Sequence, residues 1–186
     1  MKKVLVVAFD NVGTEPIAIR QVLESFGFLV LMKYVGRPKD FIDVLENKID
    51  FDSDYIILSC HGEEGKIIMP TLAHDVYLLD EPKENFSSKE IEKHFKLAGK
   101  TIINLGCTTG TSPLMDVFSK NNNIYIAPKD YIEGNSVLFF VVRLFYSLSQ
   151  NKTLKEAFEE SRKYDEETSL FVASKNRSKW ENAQLY

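Results

Sequence analysis

A cysteine and a histidine stand at comparable places in this sequence, each just after a short apolar run. Cys107 comes after the run 101–105 and one glycine, and His61 directly follows the run 55–60. Runs of this length are typical of buried strands, and open parallel sheets carry their chemistry at the carboxyl ends of the strands. The two side chains are therefore candidates for a nucleophile and a base at one edge of a sheet.

A thiol attacks a carbonyl carbon efficiently only after it has lost its proton. With an ordinary pKa of about 8.5, a free cysteine is only a few per cent thiolate at neutral pH. An imidazole can accept the proton and later give one to a leaving amine, which is typically worth roughly 10²–10⁴ in rate. Cys107 is thus predicted to be the nucleophile, and His61 the general base and acid, of an amide-cleaving site.

Attack on an amide also requires hydrogen-bond donors for the oxyanion. The backbone N–H groups of Gly62 and Cys107 are the natural pair, because both lie where the chain turns away from the sheet. One such donor is worth about 10²–10³ in rate. The missing side chain of Gly62 is expected to let a substrate backbone approach its amide closely.

Each of these residues also has an ordinary structural interpretation. A cysteine at the end of a buried strand often serves as a small hydrophobic residue, and a lone His-Gly pair indicates little. Their joint placement on neighbouring strands is what favours catalysis. Cys60 alternates away from His61 and is assigned to the core. Zinc binding by Cys60, His61 and Cys107 is not expected, because ligand-pair spacing is missing, and the thiol chemistry needs no cofactor.

Strand and helix patterns alternate through the chain and predict an α/β fold. The main strand patterns cover 4–9, 28–34, 54–60, 101–105 and 124–127, and the helix patterns cover 14–26, 39–48, 87–97, 112–118, 135–149 and 153–161. Right-handed crossovers then give a three-layer sandwich, with a mostly parallel sheet in the order 2-1-3-4-5 and helices on both faces. The third and fourth strands become neighbours, which brings His61 and Cys107 together.

Smaller elements and the chain end complete the predicted organisation. Segments 66–69 and 76–79 are expected to pair as a hairpin, and 170–173 to form a last edge strand. The whole chain, 1–186, is predicted to be a single domain with a polar C-terminal tail at 174–186. A length of 186 residues is enough for one α/β domain and short for two.

Composition argues against several classes of protein. The net charge is −4 and the sequence pI is about 5.5, which leaves no basic surface for nucleic acid or for an anionic membrane. The longest apolar run, 137–146, contains Arg143 and is too short to span a bilayer. The 2 cysteines form no C-x-x-C pair and no disulfide framework, so a soluble cytoplasmic protein is expected.

The segments 55–62 and 101–110 resemble the two catalytic blocks of caspase-like cysteine peptidases. Their sequences are Y-I-I-L-S-C-H-G and T-I-I-N-L-G-C-T-T-G. Cys107 lies 46 positions after His61, against roughly 50 between the corresponding residues of caspases. The resemblance implies a caspase-like fold in which His61 and Cys107 form the catalytic dyad.

Two later segments resemble the bacterial branch of the caspase-like peptidases, the CHAT domains. Segments 134–148 and 153–158 are similar to the end of CHAT domains, so that the likeness covers about 4–161 of the chain. The caspase signature Q-A-C-x-G is nevertheless absent. Gly106 replaces its alanine, and Gly110 falls one residue later than its glycine.

The charged side chains around the predicted carboxyl edge are mostly acidic. They are Asp10, Glu63, Glu64, Asp130 and Glu133, against Lys66 and Lys129. A carboxylate in a specificity pocket favours a basic residue before the scissile bond. In CHAT-like and separase-like relatives an acidic residue after the fifth strand has this role, so the resemblance makes Asp130 the first candidate for substrate binding and Glu133 the second. Both also have the ordinary interpretation of solvated loop charges.

The sequence therefore predicts a small cytoplasmic cysteine endopeptidase that acts on a protein or peptide substrate through a Cys107 thioester. The resemblance also implies activation by a separate regulatory protein. Two other classes stay open. One is a catalytically silent caspase-like module used for protein interaction. The other is a flavodoxin-like binding protein with the same strand order, although the turn 10–14 lacks the Ser/Thr/Gly phosphate cradle that this class requires.

Overall fold

A sheet of six strands lies at the centre of the structure, a computed structural model that describes residues 1–10 and 12–174. In chain order the strands are β1 Lys3–Phe9, β2 Leu29–Val35, β3 Tyr55–Ser59, β4 Gly62–Glu63, β5 Lys66–Ile67, β6 Thr101–Asn104, β7 Ile124–Pro128 and β8 Phe171–Ala173. The sheet order is β2-β1-β3-β6-β7-β8, and β4 pairs with β5 in a separate hairpin. The predicted order of five parallel strands is confirmed, and the predicted edge strand is β8, antiparallel to β7.

Helices cover both faces of the sheet, as predicted. They are α1 Glu15–Ser25, α2 Pro38–Leu45, α3 Ser88–His94, α4 Ser112–Phe118, α5 Gly134–Ser149 and α6 Leu154–Arg162. The buried residues of α1, α5 and α6 pack on one face, and those of α2, α3 and α4 pack on the other. The architecture is a three-layer α/β sandwich. No helix in this part of the chain combines the length and the apolar character needed to cross a membrane.

Burial on both faces explains why the patterns of β1, β3 and β7 are almost wholly apolar. In β1, Val4 and Val6 belong to the core under α1 and α5, whereas Leu5 and Val7 belong to the core under α2 and α4. A parallel strand between two helical layers has no face that water reaches, so polar and apolar residues do not alternate. Strands β3 and β7 are buried along their whole length. They form a firm support for the loops at the carboxyl edge.

Side-chain caps mark the starts of α3 and α6. The predicted capping box of α6 is present, since the Thr153 hydroxyl accepts the N–H of Glu156 and the Glu156 carboxylate accepts the N–H of Thr153. Helices α2 and α3 each end three residues earlier than predicted. After α2 the backbone turns left-handed at Asn47, with φ of 56°, and after α3 it becomes extended at Phe95. The predicted tail, 174–186, lies outside the described residues beyond its first residue.

The hairpin after His61 differs from the prediction. Strand β5 pairs with β4, across a turn in which Glu64 and Gly65 both have positive φ. The predicted partner, 76–79, is a loop rather than a strand. Its apolar side chains face solvent, and Leu79 is 94% exposed. The apolar run therefore reflects neither a strand nor a core segment.

A partly buried ion pair shapes this exposed loop. The Glu81 side chain is only 1% exposed, and its carboxylate lies 2.7 Å from Nη2 of Arg37. The same carboxylate accepts the N–H groups of Leu78 and of Lys39 in the first turn of α2, while Arg37 donates to the carbonyl of Val76. The hydrogen bond from Arg37 holds the pKa of Glu81 at about 2. Paired charges distant in sequence thus decide the conformation of 76–79.

Candidate active site

Two neighbouring strands deliver Cys107 and His61 to one cavity. In the parallel pair β3–β6, Leu58 lies opposite Asn104, so the chain leaves both strands at the same edge of the sheet. His61 and Cys107 follow within three residues of those strand ends. Both line a cavity of about 190 Å³ together with Glu15, the first residue of α1. The structure thus brings the predicted nucleophile and the predicted base together.

The two thiols of the chain have different surroundings. Cys107 is half-buried, and its thiol donates to the carbonyl of Ile132, with 3.6 Å between sulfur and oxygen. Cys60 lies in the core, as predicted, and its thiol donates to Oδ1 of Asn104 at 3.2 Å. Burial raises the pKa of the Cys60 thiol far above its ordinary value. Cys60 therefore stays protonated at neutral pH, and Cys107 is the cysteine that a substrate or reagent reaches.

The turns after β3 and β6 touch each other through their backbones. A Cβ on Gly62 would lie 2.2 Å from the carbonyl oxygen of Cys107 and 2.7 Å from Cγ2 of Thr109. A Cβ on Gly106 would lie 3.0 Å from the nitrogen of Gly62. The protein's own chain thus fills the space that was expected to admit a substrate backbone, which corrects the reason for a glycine at position 62. The same contact leaves little room for a side chain at Gly106.

Buried polar side chains fix the nucleophile turn from inside. Oδ1 of Asn104 accepts the N–H of Gly106 at 2.9 Å, and the hydroxyl of Thr109 donates to the carbonyl of Gly106 at 2.6 Å. The hydroxyl of Tyr125 donates to the carbonyl of Thr109 at 3.1 Å. Asn104, Thr109 and Tyr125 are all fully buried. The sequence analysis identified Cys107 but did not identify these supporting residues, whose role depends on contacts between β6, its turn and β7.

Glu15 is a site residue that the sequence analysis did not single out, in the first turn of the helix predicted over 14–26. Its carboxylate accepts a hydrogen bond of 2.6 Å from the Ser59 hydroxyl at the end of β3. Burial raises the pKa of the Glu15 carboxyl, while the Ser59 hydrogen bond and the charge of His61 act in the opposite direction. The signal available in the sequence was positional, because a helix that follows β1 starts at the edge where β3 ends. Within residues 1–10 and 12–174, no group of three or more His, Cys, Asp or Glu residues is placed to hold a metal ion.

The predicted substrate-binding carboxylates lie on the loop between β7 and α5. Asp130 and Glu133 are both exposed, and neither lines the cavity shared by His61 and Cys107. The Asp130 carboxylate accepts the N–H of Tyr131 at 2.8 Å. Its backbone, however, is joined to the nucleophile turn, because the carbonyl of Asp130 accepts the N–H of the residue after Cys107 at 3.1 Å.

Comparisons with known proteins bear on the architecture of this chain. No protein-family model matches the sequence, and no curated protein matches it. Among solved structures the chain is similar to the complex of Porphyromonas gingivalis RgpB pro- and mature domains, with a TM-score of 0.55 and 13% sequence identity. RgpB is a gingipain, a cysteine peptidase of clan CD. The fold is caspase-like.

The similarity covers most of one molecule and less than half of the other. It extends over 89% of this chain and 44% of the RgpB chain. The chain therefore spans less than half the length of that neighbour. At 13% identity the likeness concerns the fold, and the chemistry has to be argued from the site.

Proposed function

We propose that this chain is a cysteine peptidase that hydrolyses peptide bonds through a thioester on Cys107, with His61 as general base and acid. The observation that carries the proposal is the cavity at the carboxyl edge, because an accessible thiol and an imidazole line it together. The fold that the chain shares with a clan CD cysteine peptidase supports the same chemistry. Membership of the bacterial CHAT branch, a single domain over 1–186 and a cytoplasmic location belong to this proposal.

The reaction proceeds in two halves. His61 removes the Cys107 proton, and the thiolate attacks the scissile carbonyl carbon while the N–H groups of Gly62 and Cys107 bind the oxyanion. The C–N bond breaks, and His61 returns its proton to the departing amine. A water molecule that gives its proton to His61 then attacks the thioester, which releases the new carboxyl group and restores the thiol.

Glu15 has a supporting role in this scheme. A carboxylate and an imidazolium carry opposite charges and attract each other. A carboxylate in the same cavity therefore stabilises the imidazolium that forms when Cys107 gives up its proton. The Ser59 hydroxyl fixes the orientation of that carboxylate. The catalytic unit is therefore proposed to be His61 and Cys107, with Glu15 as a positioning residue.

The dimensions of the cavity indicate how a substrate lies. A volume of about 190 Å³ is smaller than the roughly 300–1,000 Å³ of pockets that enclose whole small molecules. The peptide must therefore cross the open edge, where Asp130 is the first and Glu133 the second candidate to contact a basic residue before the cut. A separate regulatory protein is also proposed. The RgpB structure is itself a complex of pro- and mature domains.

Two substitutions test the proposed activity. Cys107→Ala and His61→Ala should each abolish cleavage of peptides selected with a positional-scanning library, and circular dichroism should show an unchanged fold. Cys60→Ser is the matched control and should retain turnover, because the Cys60 thiol has no part in the proposed reaction and a serine hydroxyl can still donate to Asn104. Cleavage of a confirmed substrate by both the Cys107 and the His61 variants would refute the assignment.

One observation favours a second candidate function, a catalytically silent interaction module. The Cys107 thiol is engaged by the Ile132 carbonyl, which belongs to the loop beside the cavity. Labelling with iodoacetamide or with an acyloxymethylketone probe separates the two functions. A peptidase should be labelled at Cys107 in a His61-dependent manner, whereas a silent module should react slowly with both reagents.

A further inference from the structure

Thr108, directly after the candidate nucleophile, has an unusual backbone conformation. Its φ is 58°, in the left-handed region. Among the non-glycine residues with positive φ in 1–10 and 12–174, Thr108 alone is β-branched, since the others are Asn, Asp or Glu. A β-branched side chain in this region is a genuine outlier, and such conformations persist only where the surroundings impose them.

Two hydrogen bonds impose this conformation, and each reaches a different loop. The N–H of Gly65, in the β4–β5 turn, donates to the Thr108 hydroxyl at 3.1 Å. The N–H of Thr108 donates to the carbonyl of Asp130 at 3.1 Å. On the opposite side of the same peptide, the Cys107 carbonyl oxygen is packed against Gly62. The peptide that joins Cys107 to Thr108 is therefore held between the hairpin and the loop after β7.

We propose that Thr108 is a positioning residue that joins the nucleophile turn to both walls of the active site. Its hydroxyl fixes the β4–β5 hairpin, which begins at Gly62, one of the two proposed oxyanion donors. Its N–H fixes the loop that carries Asp130, the proposed substrate contact. The stiff χ1 of a β-branched residue keeps the hydroxyl directed at Gly65. This inference rests on the proposed peptidase function.

Three substitutions at position 108 separate the hydroxyl from the backbone conformation. Thr108→Val keeps the shape and removes the hydroxyl, whereas Thr108→Ser keeps the hydroxyl. Thr108→Gly removes the hydroxyl and also accepts positive φ without strain, so it folds even if the valine variant does not. If the hydroxyl aligns an oxyanion donor, the valine and glycine variants should lose about tenfold or more in kcat with little change in KM. The serine variant should stay within about threefold of the wild type.

A second measurement does not depend on peptidase activity. Hydrogen exchange of the Gly65 amide should become at least about tenfold faster in Thr108→Val and Thr108→Gly, and not in Thr108→Ser, because only the hydroxyl protects that amide. Thr101→Val is the matched control. Thr101 is the first residue of β6, at the opposite end of that strand from the nucleophile turn. It should change neither kcat nor the exchange of the Gly65 amide.

The outcomes distinguish this inference from the proposed function. Loss of kcat and faster Gly65 exchange in the valine and glycine variants, both restored in Thr108→Ser, support the positioning role. Wild-type kcat in those two variants, when Cys107→Ala is inactive, overturns the positioning role and leaves the peptidase intact. A wild-type protein that cleaves no peptide and whose Cys107 resists the acyloxymethylketone probe overturns the proposed function and this inference with it.

Discussion

At Glu15, folding and the proposed catalysis favour different protonation states of the carboxyl. Burial raises the pKa of its carboxyl, so the folded protein favours the neutral form. The contribution of this group to folding is fully present below its ordinary pKa of 4.5, and it is lost as the pH rises through the raised value. At neutral pH the proposed mechanism uses the charged form, which the fold accommodates at a loss of stability.

Replacement of the Glu15 carboxyl should therefore raise the stability of the protein and lower its activity. Glu15→Gln keeps an acceptor for Ser59 and removes the charge. Its kcat/KM should fall about tenfold, and its free energy of unfolding at pH 7 should rise by about 0.5–2 kcal/mol. Urea denaturation between pH 4 and 8 provides the check, since the gain in stability should disappear as the pH falls below 4.5. Glu24→Gln, on the exposed side of α1, is the control, and a gain that does not vary with pH would contradict the explanation.

Single residues differed in how far the sequence revealed them. The strand-end pattern pointed to His61 and Cys107 because it combines residue type with local apolar context. Glu15 has the residue type without the context, since a glutamate in the first turn of a helix is ordinary. Its burial results from the packing of α1 beside β3, a contact between segments more than 40 residues apart, as the Ser59 hydrogen bond shows.

At the scale of elements, the site depends on a backbone contact between two turns. The turn after β3 and the turn after β6 approach so closely that a methyl group on Gly62 has no room. The hairpin and the nucleophile turn are therefore packed together as one unit. The register of β3 and β6 brings the two turns to the same edge of the sheet, and most atoms of the contact are backbone atoms.

Gly62→Ala should disrupt this unit. A Cβ at 2.2 Å from the Cys107 carbonyl oxygen forces the turns apart, which should lower the free energy of unfolding by about 1–3 kcal/mol and abolish activity. Gly36→Ala is the matched control, because the nearest atom to its Cβ would be 4.0 Å away. Thermal melts measure the loss of stability, and turnover together with alkylation of Cys107 measures the loss of activity. A Gly62→Ala variant with wild-type stability and turnover would show that the contact is looser than described.

Elements were predicted well where burial is uniform and poorly where it is not. The strands and the capping box at Thr153 follow from local patterns that tertiary contacts reinforce. The segment 76–79 has the composition of a strand, and its backbone groups are instead held by Arg37 and Glu81. Pairing between charges 44 residues apart leaves no trace in the local pattern.

For the whole molecule, the Arg37–Glu81 pair ties a long loop to the start of α2. Glu81→Gln should lower the free energy of unfolding at pH 7 by about 1–3 kcal/mol, which is less than for a fully buried pair because Arg37 is 29% exposed. The folded pKa of about 2 lies below the ordinary 4.5, so the contribution is present above pH 4.5 and is lost as the pH falls toward 2. Urea denaturation should show that the difference in free energy of unfolding between the wild type and Glu81→Gln is smaller at pH 3 than at pH 7. Removal of the exposed Arg20–Glu24 pair by Glu24→Gln should change stability by less than about 0.5 kcal/mol at both pH values.

The overall architecture was accessible from the sequence because few topologies satisfy it. Alternating strands and helices with right-handed crossovers leave a handful of orders for a sheet buried on both faces, and 2-1-3-4-5 is one of the common ones. That order places the ends of β3 and β6 side by side, so the cavity follows from the topology. The loops that surround it depend on hydrogen bonds such as those of Thr108, which arise only when distant turns meet.

The hydrogen bond from the Cys107 thiol to the Ile132 carbonyl affects when the thiol is free to react. The acceptor lies on the loop between β7 and α5, while the sulfur stands on the turn that follows β6. A displacement of Ile132 would break this hydrogen bond and release the thiol, while the strands of the sheet stay in place. In the proposed peptidase, access to the thiol would therefore depend on the loop after β7, whereas stability depends on the packed layers of the sandwich.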